Sequence, residues 1–275
     1  MISIDYLSVV NNEINLEWYL FFYELEQQLN KGQIKVNRKV SIKSDLASKL
    51  PSACKAFDFE AVSCDGSLHH AYNLHTLLYE IESPYFLIHD PDTMAITECY
   101  DSVFSDYVSR FDAFGTDILF GDFPSASFTV FNTNIFWSLL ERYGLGDRVG
   151  KTVLKALTPT INDKDHRAMV QPKRPEEVVY DIVTSHRTGR YDDLYVLYKK
   201  KYENLNADIG WVLPVIYTRE VNKDRIGLFK RYREHGRGTV YRSVDGNAAV
   251  WRHSRRDFRP SDIQEVRNYM SAGCQ

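Results

Sequence analysis

The chain has 275 residues, 44% of them hydrophobic and 26% charged, with a formal net charge of -3. That length holds one large or two small domains, and the balance is that of an ordinary globular protein, not of a disordered chain or an indiscriminate polycation. Eighteen Tyr and fifteen Phe provide for a sizeable core and for a pocket that stacks on flat ligands.

Ile2 to Val10 reads as a first strand, closed by Asn11-Asn12. Asn15 is placed to cap a helix from Leu16 to about Leu29, stopped by Gly32. Ile34 to Ile42 alternates and reads as a strand, and Ser44-Asp45 starts a short helix that Pro51 ends. Phe57 to Val62 is a third strand, and Leu68 to Ile81 a helix with an apolar stripe of Leu68, Tyr72, Leu74, Leu77 and Leu78. Pro84 to Ile88 is a short apolar run that reads as a buried strand and ends in His89-Asp90-Pro91-Asp92. Alternation of strand and helix predicts a mostly parallel sheet with helices on both faces. Ser102 to Phe114 reads as a helix, Asp117 to Asp122 and Ser127 to Thr133 as strands, and Asn134 to Tyr143 as a helix ended by Gly144 and Gly146. Residues 163–175 read as a loop, Pro175-Glu176-Glu177 as a helix start, Asp192 to Tyr202 as a helix and Trp211 to Tyr217 as a strand. The most plausible division falls near residue 150: residues 1–150 as one half, and residues 151–275 as a helical and basic lobe, within two domains or one continuous one.

The four cysteines, Cys54, Cys64, Cys99 and Cys274, have no zinc-type spacing and fit reduced thiols. With no basic region and long apolar core at Met1, and no stretch long enough to span a bilayer, a cytoplasmic protein is expected. The phosphate-binding loop G-x-x-x-x-G-K-[ST], the dinucleotide fingerprint G-x-G-x-x-G and the nucleophile elbow G-x-S-x-G do not occur.

Asp90 and Asp92 stand one residue apart after a buried strand, where ligands of open α/β sheets bind. Two carboxylates there can hold a hard divalent cation and, through it, a diphosphate. The same residues also favour turns for local reasons. One helix earlier, Asp65-Gly66-Ser67 reads as a turn whose free N–H groups can meet an anion, followed by His69 and Asn73 on one helical face.

This glycine-serine turn, a His, an Asn, an apolar helix and a strand ending in D-x-D together resemble the donor-binding half of a GT-A-fold glycosyltransferase, of the kind related to the large inverting polysaccharide-building family. The resemblance covers roughly residues 1–145 in order of elements, and Pro91 between the two acids departs from the usual pattern. It implies an α/β GT-A-like fold and a nucleotide diphosphate-sugar donor. It also implies Mn²⁺ or Mg²⁺ on Asp90 and Asp92, with Asp65, His69 and Asn73 near the nucleotide. Further along, Asp208 before Gly210-Trp211 resembles the acceptor segment of such enzymes, with Asp208 as general base, Trp211 stacking on a sugar and Asp122 as second choice of base. His253 matches a late third metal ligand, with Arg252 and Arg255 beside the leaving diphosphate. The acceptor is a glycan or other hydroxyl, and inversion is expected.

Between Arg219 and Arg259 stand twelve Lys/Arg against five Asp/Glu. This segregated basic charge also fits nucleic acid. It keeps open a transferase acting on modified DNA bases, beside a sugar-phosphate nucleotidyltransferase and a non-catalytic binding protein with the same fold.

Overall fold

A computed structural model describes residues 1–60, 66–96, 100–149, 152–153, 190–202, 210, 212–253 and 259–271. The elements run β1 (Ile2–Val10), α1 (Glu13–Leu29), β2 (Ile34–Ile42), α2 (Ser44–Ala47), β3 (Cys54–Asp58), α3 (Gly66–Leu78), β4 (Tyr85–His89), β5 (Thr93–Ala95), α4 (Tyr100–Arg110), β6 (Ala113–Thr116), β7 (Phe128–Asn132) and α5 (Thr133–Arg142). They continue with β8 (Gly146–Asp147), β9 (Thr152–Val153), α6 (Arg190–Lys201), α7 (Val212–Glu220), β10 (Ile226–His235), β11 (Gly238–Ser243), β12 (Ala249–His253) and α8 (Pro260–Ser271).

Ten strands form one sheet in the order β3-β2-β1-β4-β7-β6-β10-β11-β12-β5. The sheet is mixed, which corrects the expectation of a mostly parallel one. β3, β2, β1 and β4 are parallel, but β7 inserts antiparallel beside β4 and β6, and β10, β11, β12 and β5 form an antiparallel run. The basic segment therefore lies largely in strands of the same sheet that carries β1. β5 follows β4 in sequence after residues 90–92 yet pairs at the far edge of the sheet. The sheet must curl to allow this, and the curl brings β12 back towards the end of β4.

Both faces of the sheet are covered, so its central strands read as near-continuous apolar runs. Alternate residues serve opposite cores. Leu7, Val9, Phe86 and Ile88 pack with Leu74, Leu77 and Leu78 of α3 and Phe136 and Leu140 of α5, together with residues of α6 and α7. Ile4, Tyr6 and Leu87 pack with Trp18, Phe22 and Leu25 of α1, Phe104 and Tyr107 of α4, and Val266 and Tyr269 of α8.

Several boundaries differ from the sequence expectation, each for a local reason. α1 starts at Glu13 because Asn12, not Asn15, caps it: the Asn15 amide donates to Asn12 Oδ1 at 2.8 Å. β3 begins earlier than expected, at Cys54, paired to β2 from Arg38 to Ile42. α4 ends at Arg110, and Ala113-Phe114 belong to β6 rather than to the helix. Residues 117–122 are not a strand. Their apolar members line a cleft instead. Val212 to Tyr217 is helical, not extended, and all six residues are buried. A helix buried all round has the same continuous apolar signature as a buried strand, and Pro214 falls in its first turn, where its missing N–H costs nothing.

Candidate functional site

The site is built on the end of β4. Phe86, Leu87 and Ile88 are fully buried between β1 and β7, so the strand leaves the core at a fixed point and angle. His89 is also buried. Its Nε2 lies 2.5 Å from the Thr93 carbonyl oxygen and its Nδ1 3.0 Å from Ser8 Oγ. A carbonyl only accepts, so Nε2 carries the proton and Nδ1 accepts from the serine. Burial pushes this imidazole down to about 4, keeping it neutral. His89 is thus a brace beneath the turn. The Asp90 amide donates to the Ser127 carbonyl at 2.8 Å, and its own carbonyl accepts from the Thr93 amide at 3.0 Å. The Thr93 hydroxyl is shared between the carbonyls of Asp90 and Ser127, at 2.8 and 2.9 Å. The backbone of Asp90 is held on both sides, while its side chain remains 29% exposed.

That side chain opens on a cleft of about 260 Å³. His70 from α3, Arg252 from β12 and Ser127 before β7 line it on the polar side, and Ile118, Leu119 and Phe120 form an apolar wall. The wall is an irregular loop held from below. Asp117 accepts from the Gly121 amide at 2.7 Å, with Gly121 at φ 79°, and Lys230 Nζ bonds Asp117 at 2.5 Å and the Gly121 carbonyl at 2.6 Å. Two polar atoms of the cleft residues are buried without a hydrogen-bond partner among the described residues: Ser127 Oγ and Arg252 Nε. Unsatisfied donors of this kind cost about 1–3 kcal/mol each. The Arg252 guanidinium also acts on Tyr241, whose hydroxyl is pushed up by burial and drawn back by Arg252 and Arg231.

Asp90 and Arg252, 162 positions apart in the sequence, therefore share one cleft. The other expected site residues are distributed differently. Asp92 is half-buried in the turn after Asp90. Asn73 is fully buried and does not line the cleft: its Oδ1 accepts from Ser41 Oγ at 2.7 Å and from the Glu60 amide at 2.9 Å, and its Nδ2 donates to the Glu60 carbonyl at 3.0 Å. It ties α3 to β2 and to the segment after β3. Asp122 is exposed beyond the apolar wall, one oxygen accepting from Tyr202 Oη at 2.6 Å and the other 2.6 Å from Lys201 Nζ. The backbones of His69 and His253 lie in α3 and β12, but their side chains fall outside what is described. Asp65, Asp208, Trp211 and Arg255 lie outside the described residues.

Sequence reasoning missed His70, Ser127 and the 118–120 wall. For His70 the signal lay in helix phase. His70 and Leu74, four apart, both line the cleft, whereas Asn73, chosen from sequence, stands one residue before Leu74 and turns to Ser41 and Glu60 instead. One residue is 100° of helix rotation.

Among the described residues no three His, Cys, Asp or Glu side chains converge to cage an ion. An ion held by one or two carboxylates and by the phosphates of its ligand needs no such cage, so the Asp90 side of the cleft fits that mode of binding. No described helix is long and apolar enough to cross a membrane. In the basic segment Arg225, Lys230, Arg231 and Arg237 each face a carboxylate, of Asp112, Asp117, Glu234 and Asp262 respectively.

No protein-family model matches the sequence, and no curated protein matches it. Among solved structures the chain is similar to the mannosyltransferase PcManGT from Pyrobaculum calidifontis, in complex with GDP-Man and Mn²⁺. The two share 12% identity over 78% of this chain and 68% of that one, with a TM-score of 0.38. Agreement at that level carries no inference about fold or activity.

Proposed function

We propose that this protein transfers a sugar from a nucleotide diphosphate-sugar to an acceptor hydroxyl, in the cleft at the end of β4. The observation that carries the reading is a carboxylate on a pinned backbone, Asp90, in a cleft also lined by Arg252 and Ser127, whose Nε and Oγ have no partner among the described residues. A guanidinium and a hydroxyl donor suit phosphate oxygens. The cleft is slightly smaller than the ~300–1,000 Å³ of typical ligand pockets, which suits a diphosphate and sugar better than a whole donor molecule.

In this reading Arg252 holds the diphosphate and neutralises charge as the bond from the anomeric carbon to the phosphate oxygen breaks. Asp90, with Asp92, holds Mn²⁺ or Mg²⁺, which when bound supplies Lewis-acid stabilisation to the departing diphosphate. Asp208 takes the proton of the attacking hydroxyl, in a single displacement that inverts the anomeric carbon. Asp122 is the weaker candidate for base, because Lys201 and Tyr202 occupy both its oxygens. Leu119 and Phe120 shield the reacting centre from water, and Asn73 acts by bracing its loop. Residues 1–150 supply the donor side, and residues 151–275 add Arg252 and the acceptor side.

Thermal unfolding with UDP or GDP and Mn²⁺ tests this. Occupancy at a hundredfold over the dissociation constant adds ~2.7 kcal/mol, a rise of several degrees for a chain of this size. Asp90→Asn and Arg252→Met should each abolish the rise. If no nucleoside diphosphate raises the melting temperature with Mn²⁺ present, the reading fails.

A further inference from the structure

We infer that Tyr241 is a positioning residue, holding the Arg252 guanidinium at the angle from which it meets the diphosphate. The inference rests on the reading of the cleft as a diphosphate site, and it starts from strand register. Arg252 on β12 pairs with Thr239 on β11, and Tyr241 pairs with Val250. Paired residues share a face of the sheet, as do residues two apart along one strand. Tyr241 is therefore the diagonal neighbour of Arg252, at a separation that long side chains bridge. The Arg252 guanidinium acts on the Tyr241 hydroxyl both by its charge and by hydrogen bonding. A neutral tyrosine oxygen accepts from a guanidinium N–H.

Tyr241 is itself fixed. It is 5% exposed and belongs to the same core as Phe229, Val240 and Val250, so close packing keeps its ring from following a moving arginine. The neighbouring residues of β10 and β11 extend the frame. Thr239 Oγ1 donates to the two Glu234 carboxylate oxygens at 3.1 and 3.2 Å, and Arg231 pairs with the same carboxylate. The Tyr241 hydroxyl feels Arg231 and Glu234 as well as Arg252, which places all four groups in one cluster. A separate observation points from that cluster to a ligand: Arg252 lines the cleft, and its Nε is buried with no partner among the described residues. A neutral hydroxyl orients a guanidinium without neutralising it, so the charge stays available to phosphate. Arginine has many rotamers, and fixing one before binding removes an ordering cost that the complex would otherwise carry. Support of this kind around a binding group is what keeps it in productive geometry.

Calorimetric titration of the full chain with UDP, GDP, UMP and GMP, each with Mn²⁺, tests the inference without reference to activity. The wild type should bind one diphosphate more tightly than the matching monophosphate. Tyr241→Phe keeps the buried ring and removes only the oxygen; it should weaken the diphosphate about tenfold and the monophosphate less than about twofold. A merely structural defect would weaken both alike. In the Arg252→Met background the same change should have no further effect, because Tyr241 acts through the arginine. Equal weakening of diphosphate and monophosphate, unchanged diphosphate binding by Tyr241→Phe, or an effect that persists in the Arg252→Met background overturns the inference and leaves the transferase reading intact. If no nucleoside diphosphate binds, or Arg252→Met binds it unchanged, that reading fails and the inference with it.

Discussion

Asp5→Asn should be among the most damaging single substitutions in this protein, although it changes one atom and lies far from the cleft. Asp5 is fully buried at the start of β1. Its Oδ1 accepts from Ser83 Oγ at 2.6 Å and Asn37 Nδ2 at 2.9 Å; its Oδ2 accepts from the Glu82 amide at 2.6 Å, the Ser83 amide at 3.1 Å and Lys39 Nζ at 3.0 Å. Burial pushes this carboxyl up, but the bonds from Ser83, Asn37, Glu82 and Lys39 outweigh it and hold it below the usual carboxylate range. The knot joins β1, β2 and the turn before β4. An asparagine turns one acceptor oxygen into an N–H donor facing other donors, and leaves the Lys39 ammonium, 4% exposed, without its buried counterion. Breaking a buried pair from one side costs about 3–5 kcal/mol, about a fifth or more of the stability of a typical domain. Urea unfolding of the full chain should show that loss, with the Lys39→Met/Asp5→Asn double variant at least ~1 kcal/mol more stable than the sum of the singles predicts. The folded fraction should still bind Mn²⁺, because the knot sits at the amino ends of the parallel strands and Asp90 at the carboxyl end. A loss below ~1 kcal/mol for Asp5→Asn, or strict additivity, would refute the account.

Two further outcomes follow from buried groups. His75 and His89 are held neutral by burial, at about 3 and about 4. Below pH 6.5 the unfolded chain takes up protons that the folded one refuses, so stability is intact above that pH and falls as pH drops from 6.5 towards 4. Each histidine contributes a slope of ~1.4 kcal/mol per pH unit. Urea midpoints at pH 7, 6 and 5 should show it, and His75→Leu should reduce the slope by one histidine's share; an unchanged slope would mean that His75 is solvated. Gly115→Ala should cost about 3 kcal/mol or prevent folding, since its Cβ would overlap the Phe128 carbonyl oxygen in the neighbouring strand. A soluble Gly115→Ala protein with unchanged melting temperature would show that β6 and β7 do not pack so closely.

Much of the first half was legible in the residues. β4 carries a continuous apolar run because both faces of the sheet are covered, β2 shows the alternation of a strand, and Gly144 marks the end of α5 by capping chemistry that is local. The strand-end position of Asp90 was legible for the same reason: a buried run that stops at Pro91 leaves its last side chains at the sheet rim. Local chemistry ceases to decide where burial makes helix and strand look alike. Val212 to Tyr217 was read as a strand for that reason, and Ile118 to Phe120 as another, though the latter spend their apolar surface on a cleft.

What the sequence determined by itself is which segments must be buried and where carboxylates can emerge from them, because those follow from hydrophobic periodicity and end signals within a few residues. Only the tertiary structure decided what faces Asp90. The curl of the sheet returns β12 and β5 beside β4 and delivers Arg252 to the cleft, and the burial of Leu74 sets the helix phase that brings His70 to it. Both are outcomes of packing between elements distant in the chain, and no local run of residues encodes them.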